Sequence, residues 1–268
     1  MEHTNVFAVI LALLLNFVVF APNKLETSTT PATSLSSLIT TISTPPLSST
    51  TTSLVTSTTS LPQTTTTTTT QQSEWFVTSN MSDARQEHTA SVLSNGKVLI
   101  TGGVNDNGRL KSAELYDPST GIWTTTGSMT NARDLHTASV LTNGLVLVTG
   151  GVSIGNIFLY SAELYDSSAG TWTTTGNMSD ARREHTASVL TNGNVLVTGG
   201  AGIEFSAVDS VELYDPSPST WANTGNMTNA RGQHTASVLS NGLVLVTGGY
   251  NGRIALNSAE LYSLFRTN

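Results

Sequence analysis

From Glu74 onward the apolar positions fall in short runs without helical spacing, and the runs come in pairs. His88-Thr-Ala-Ser-Val-Leu-Ser and Lys97-Val-Leu-Ile-Thr flank Asn95-Gly96. Asn-Gly between two such runs predicts a two-residue type I′ hairpin, and so an antiparallel pair, strands A and B. The B runs, such as Leu145-Val-Leu-Val and Leu243-Val-Leu-Val, are apolar without a break, which suits a strand buried on both faces between stacked sheets. Each B run ends in a glycine pair: Gly102-Gly103, Gly150-Gly151, Gly199-Gly200 and Gly248-Gly249. Paired glycines permit positive φ and close approach of another backbone. Ala113-Glu-Leu-Tyr116 then predicts strand C, Asp117-Pro-Ser-Thr-Gly121 a turn, and Trp123-Thr-Thr-Thr126 strand D.

This unit of four strands recurs. Trp75, Trp123, Trp172 and Trp221 lie 48, 49 and 49 residues apart, and His88, His136, His185 and His234 keep the same intervals. A period just under about 50 residues, filled by four strands, is the sequence signature of a propeller blade. Within it, a glycine pair is followed by a Tyr thirteen or fourteen residues on and a Trp seven further: Gly103, Tyr116, Trp123; Gly151, Tyr165, Trp172; Gly200, Tyr214, Trp221. The fourth unit has Gly249 and Tyr262 but no Trp after them.

These residues resemble those of the kelch-repeat family, over Glu74 to Tyr262. The resemblance implies an all-β, four-bladed kelch-type propeller. The chain before the first A strand holds a spare Trp75-Phe-Val-Thr78, which predicts that the N-terminal segment serves as strand D of the last blade and closes the ring. Closure removes the exposed sheet edges that an open stack presents. Four blades lie at the low end for propellers, so a head-to-tail homodimer, or a chain that is a fragment of a longer one, stays open as an alternative.

Composition divides the rest of the chain. Val6 to Phe20 is uncharged and apolar save Asn16; as a helix it reaches about 22 Å, short of a hydrocarbon core of about 30 Å. Residues 1–21 therefore read as a signal peptide or signal anchor, and any membrane contact is confined to that segment. Between Thr27 and Thr70, 30 of 44 residues are Ser or Thr, with four prolines and no charge, so residues 22–72 read as a disordered, mucin-like linker. Residues 73–268 are the propeller. Three sequons, at Asn80, Asn177 and Asn226, sit at equivalent positions of the units and become N-glycosylation sites if the chain is exported.

The charge balance speaks against nucleic acid as a partner: the net charge is −7, and no run of like charge occurs. There is no cysteine, which excludes disulfides and zinc-thiolate chemistry. No Gly-x-Ser-x-Gly, His-Glu-x-x-His, P-loop or Gly-x-Gly-x-x-Gly is present, so no cofactor and no enzyme activity are expected. Galactose oxidase shares the fold that the resemblance implies, but its copper site needs a Tyr-Cys crosslink that a cysteine-free chain lacks.

The expected function is therefore binding of a protein or glycan outside the cell, with an intracellular adaptor or a carbohydrate-active enzyme as rivals. Antiparallel strands put the A-to-B and C-to-D turns at one end of the propeller and the B-to-C and D-to-A connections at the other. The B-to-C segments differ from unit to unit while everything around them is copied, so they are the candidate binding face, with Asp106, Arg109, Phe158, Tyr160, Glu204, Phe205, Tyr250 and Arg253 as contacts. Each D-to-A connection contains Ala-Arg-x-x-His: Arg85 and His88, Arg133 and His136, Arg182 and His185, Arg231 and His234. Four such histidines around an axis suggest a metal site. The more economical reading pairs each Arg with a copied Glu, namely Glu114, Glu163, Glu212 or Glu260, and leaves each His to order its own loop.

Overall fold

A computed structural model describes residues 73–203 and 206–264; the expected signal segment and linker lie outside them. Four antiparallel sheets follow one another along the chain. The first unit forms a sheet from β1 (Thr89–Val92), β2 (Val98–Thr101), β5 (Ala113–Asp117) and β6 (Ile122–Thr125). Between β2 and β5 a small hairpin rises, made of β3 (Val104–Asn105) and β4 (Gly108–Arg109).

The second unit repeats this with β7 (Thr137–Val140), β8 (Val146–Thr149), β11 (Ala162–Asp166) and β12 (Thr171–Thr174), and a hairpin of β9 (Val152–Ser153) and β10 (Ile157–Phe158). The third has β13 (Thr186–Val189), β14 (Val195–Thr198), β15 (Val211–Asp215) and β16 (Thr220–Asn223). The fourth has β17 (Thr235–Val238), β18 (Val244–Thr247) and β19 (Ala259–Tyr262), and no fourth strand among the described residues.

The sheets stack by alternating sides. β1 lies against β7, β7 against β13, and β13 against β17, which puts the first strand of every sheet nearest the axis. At each junction one sheet offers leucines and the next offers valines and a tyrosine. Leu93, Leu99 and Ala113 meet Val146 and Tyr165; Leu141, Leu147, Ala162 and Met178 meet Val195, Val197 and Tyr214; Leu190, Leu196, Val211 and Met227 meet Val244 and Val246. All these residues are buried, as the unbroken apolar B runs require. Each D-strand Trp packs on the Tyr opposite it, with ring centroids 5.0 Å apart in units one to three. Its indole Nε1 reaches back one unit: Trp172 donates to the Gly127 carbonyl at 2.8 Å and Trp221 to that of Gly176 at 2.7 Å.

The glycine pairs earn their conformation. Gly103 has φ 93°, and a side chain there would press on the Gln86 carbonyl and on His88 Cβ, at 2.6 and 2.9 Å. Two expectations are corrected. The Asn-Gly turns are not two-residue type I′ hairpins. Leu93 N–H donates to Lys97 O and Gly96 N–H to Leu93 O, enclosing three residues, Ser94 to Gly96. Gly96 is left-handed at φ 81° while Asn95 is not, which is a type I turn closed by a glycine bulge. The Asn95 side-chain oxygen takes the Lys97 N–H at 3.1 Å, a bond that a right-handed Asn makes readily.

The second correction concerns closure. Trp75, Phe76 and Val77 are fully or largely exposed and form no strand, and β19 pairs with β18 alone among the described strands. The N-terminal segment is held at the first unit instead. Trp123 Nε1 donates to Ser79 O at 2.9 Å, Ser79 Oγ to Gly121 O at 2.5 Å, and the Ser82 N–H to Glu114 at 2.7 Å. The turn from one sheet to the next is set by the side chains wedged between them, and the outer faces remain exposed at Val92 (60%) and Leu261 (55%).

Candidate binding face

The copied Arg and His of each D-to-A connection are architectural in the three places where a unit precedes them. Arg133, Arg182 and Arg231 have fully buried side chains whose guanidinium groups pair with Glu163, Glu212 and Glu260 at 2.7 to 2.8 Å; Arg85 pairs with Glu114 at 2.7 Å. Each guanidinium also donates to the carbonyl of the first glycine in its own unit's pair, as Arg133 does to Gly150 at 2.8 Å. Each Glu takes two backbone N–H groups at the start of its connection, for instance Thr130 and Asn131 on Glu163. Burial would raise the Glu114 and Glu260 carboxyls, but these N–H groups and the arginines outweigh it and hold both below the ordinary range.

The histidines reach across the junction. His136 Nε2 contacts the hydroxyls of Thr89 and Thr101 at 3.0 and 3.2 Å; His185 meets Thr137 and Thr149, and His234 meets Thr186 and Thr198, at 2.9 to 3.0 Å. Burial lowers all three pKa values, that of His234 to about 4, so these rings are neutral at neutral pH. Nε2 of each ring is committed to its threonine pair, one blade apart from the next, while Nδ1 is buried without a hydrogen-bond partner. Among the described residues no cluster of three or more His, Asp or Glu is placed to hold a metal ion.

What the copied frame presents is the pair of residues between Arg and His, which vary: Gln86-Glu87, Asp134-Leu135, Arg183-Glu184 and Gly232-Gln233. The first of each pair bridges to the first residue of a B-to-C segment: Gln86 to Val104, Asp134 to Val152, Arg183 to Ala201 and Gly232 to Tyr250. The second of each pair is left-handed at φ 52° to 56°, a conformation that costs a non-glycine residue about 1 kcal/mol or more. A backbone chain running around the axis holds them there: Leu135 N–H donates to Glu87 O, Glu184 to Leu135 and Gln233 to Glu184. Both variable sets thus share one end of the molecule.

Charge gathers at that end. Arg109, on β4, binds Asp134 at 2.9 Å, with the Asp side chain 3% exposed and its second oxygen without a hydrogen-bond partner. The Arg183 guanidinium lies over the Phe158 ring at 5.5 Å and reaches Glu184 at 3.6 Å. Burial, then the negative charges of Asp134 and Glu184, raise the Glu87 carboxyl; burial raises that of Asp134 against the pull of Arg109. A cation or hydroxyl donor arriving here would meet the Glu87 carboxyl, which makes no salt bridge among the described residues.

Of the residues proposed from sequence, the structure brings Arg109 and Phe158 into this cluster. Asp106, Tyr160, Tyr250 and Arg253 stand exposed on their connections, and Glu204 and Phe205 lie outside the described residues. Asp134, Arg183, Glu87 and Glu184 were missed. Their signal was in the sequence: two changing positions inside an otherwise copied Ala-Arg-x-x-His. The sequon residues Asn80, Asn177 and Asn226 are all exposed.

With four radially stacked kelch-like sheets and copied Gly-Gly, Tyr and Trp positions in place, the class is that of kelch-repeat β-propellers. The model of the KLHDC2/KLHL20/DRC7 Kelch-repeats domain matches residues 52–249, and the chain belongs to the kelch-repeat family. No curated protein matches it. Among solved structures, "Structure of YjhT" is similar with a TM-score of 0.58 at 17% identity, covering 66% of this chain and 63% of that one. The chain thus spans less than two thirds of the length of that relative, and at this identity the likeness concerns the fold.

Proposed function

We propose that this chain is an exported, non-enzymatic binding module whose ligand seats on the axial end built from Arg109, Asp134, Phe158, Arg183, Glu87 and Glu184. One observation carries the reading: the two sets of residues that differ between otherwise copied units are hydrogen-bonded to each other on a single face. Copying preserves what the packing needs, and divergence concentrated on one face is what recognition of an asymmetric ligand needs. The carboxyls of Glu87 and Glu184, crowded beside the buried Asp134, favour a ligand that brings donors, such as lysine or arginine side chains of a protein or the hydroxyls of a glycan.

The test is a screen of the full chain against a glycan array and a panel of extracellular protein domains, repeated with Arg109→Ala/Arg183→Ala. Ligands should be lost by the double variant at a temperature where circular dichroism shows it folded, its melting temperature being lowered by the loss of Asp134's partner. Ligands retained unchanged would remove this face from the function. Export is tested on the natively expressed chain: N-glycosidase treatment should lower its mass through Asn80, Asn177 or Asn226. A chain free of N-glycans would favour the intracellular adaptor instead.

A further inference from the structure

The chain carries both halves of an interface that it uses three times between its own units, with one half unused at each end. At every internal junction, the first glycine of the leading unit's pair is covered by three groups of the next connection. Over Gly102 these are the Arg133 carbonyl, His136 Cε1 and Met129 Cε; over Gly150 they are the Arg182 carbonyl, His185 Cε1 and Met178 Cε; over Gly199 they are the Arg231 carbonyl, His234 Cε1 and Met227 Cε. The second glycine donates its N–H to the same Arg carbonyl, as Gly103 does to Arg133 at 2.8 Å. The threonine pair takes the histidine, and the C-strand edge takes a strand D whose Trp faces the Tyr.

At the fourth unit these positions stand open. The nearest atom to a side chain placed at Gly248 is the carbonyl of Leu256, within its own unit, at 3.6 Å. Thr235 and Thr247 hydrogen-bond each other at 2.8 Å, and among the described residues no histidine joins them. Ala259 is exposed where Ala113 and Ala162 are buried, and Leu261 is exposed on the free edge of β19. Gly225, whose counterparts Gly127 and Gly176 lie under a tryptophan of the following unit, has nothing within 4 Å of a side chain built on it.

The N-terminal segment presents the complementary half without a sheet to receive it. Trp75, Met81, Arg85 and His88 stand where Trp123, Met129, Arg133 and His136 stand one unit later. Trp75 and Phe76 are exposed, and among the described residues no threonine pair hydrogen-bonds His88.

We propose that two copies of this chain join head to tail, with Trp75–Thr78 of one copy added as a fourth strand beside Ala259–Tyr262 of the other, and His88 of the first seated on Thr235 and Thr247 of the second. The register is that of the first unit, where Tyr116 faces Trp123 and Leu115 faces Thr124; Tyr262 therefore faces Trp75, and Leu261 faces Phe76. The Trp75 indole reaches the carbonyl of Gly225, as Trp172 reaches that of Gly127. The occupant is a second copy because the open site repeats a packing pattern whose other half this chain itself carries, residue for residue, and because its own segment is tied to the first unit through Ser79, Ser82 and Glu114. The contact is strand addition, and it is heterologous, so each pairing leaves one further end of each kind.

The native absence of cysteine makes a crosslinking test clean. Full chains carrying Phe76→Cys or Leu261→Cys alter only exposed side chains and should keep the native circular dichroism and melting profile. On mild oxidation an equal mixture should give a disulfide-linked dimer containing one of each, well above the yield from either variant alone. Sedimentation of the unmodified chain should show association that rises with concentration, and His88→Ala should weaken it. Three results would overturn the proposal: a strictly monomeric unmodified chain, like-with-like dimers in the same yield as mixed ones, or a Phe76→Cys/Leu261→Cys double variant that closes on itself as a monomer. The last would show that the chain's own segment fills the site.

Discussion

The third and fourth units are written in nearly the same residues and live in different surroundings. Thr186-Ala-Ser-Val189 and Thr235-Ala-Ser-Val238 are identical, as are the B strands β14 and β18. In the third unit Leu196 and Thr198 are buried between two neighbouring sheets; in the fourth, Leu245 and Thr247 are half-buried and Val238 is exposed. Glu212 is fully buried around Arg182, whereas the side chain of Glu260, bonded in the same way to Arg231, is 21% exposed. Strand formation and register are therefore local properties of the repeat, while burial is conferred by whatever stands on the other side. The same side chain carries a different energy in each place.

The sharpest way to break this comparison is to remove the acid. Glu212→Ala leaves Arg182 charged and buried, and should lower unfolding free energy by about 3–5 kcal/mol. Glu260→Ala, where water reaches the acid though not the buried Arg231, should lower it less, by about 1–3 kcal/mol. Urea unfolding of dilute protein measures both, and equal losses would mean that the neighbouring sheet contributes nothing to the difference.

Next in size is the apolar junction. Leu196→Ala opens a cavity between the third and fourth sheets and should cost about 2–5 kcal/mol. Leu261→Ala, on the free edge, should change stability by no more than about 0.5 kcal/mol in dilute solution. A large loss from Leu261→Ala under those conditions would show that its edge is covered.

The smallest effect is the response to acid. His185 is buried with its pKa pushed down, so the native state binds fewer protons than the unfolded one once the pH falls below about 6.5. Its contribution is complete above that pH and is lost progressively on acidification, through a window that for His234 extends to about 4. His185→Gln should flatten the fall in stability across that window by up to about 1.4 kcal/mol per pH unit. His88→Gln, whose ring is less buried and has no sheet before it among the described residues, should flatten it less. Equal slopes for the two variants would deny that the junction is what keeps these rings neutral.

Much of the architecture was legible because it is written four times. The period, the strand runs, the Tyr and Trp pairs and the pairing of each Arg with a copied Glu follow from residues that recur in step. Other features had no such trace. Thr89 and Thr101 receive a histidine from the next unit, yet in a chain so rich in threonine nothing marks them. Asp134 and Arg183 are marked only as changing positions in a copied motif, and their place on the candidate face follows from the backbone bridges that set them against Val152 and Ala201. The turn at Ser94 to Gly96 departed from the Asn-Gly rule through one backbone angle, that of Asn95.

Local hydrogen bonding and side-chain alternation depend on near neighbours in the chain, and for that reason the sequence alone determined the strands, their order and the copied contacts within each unit. The rotation from one sheet to the next is instead a sum over many packed side chains, and small differences accumulate around the axis. Where the fourth sheet arrives relative to the first, and with it the fate of Trp75 and of the free edge at Tyr262, was decided only by the tertiary structure.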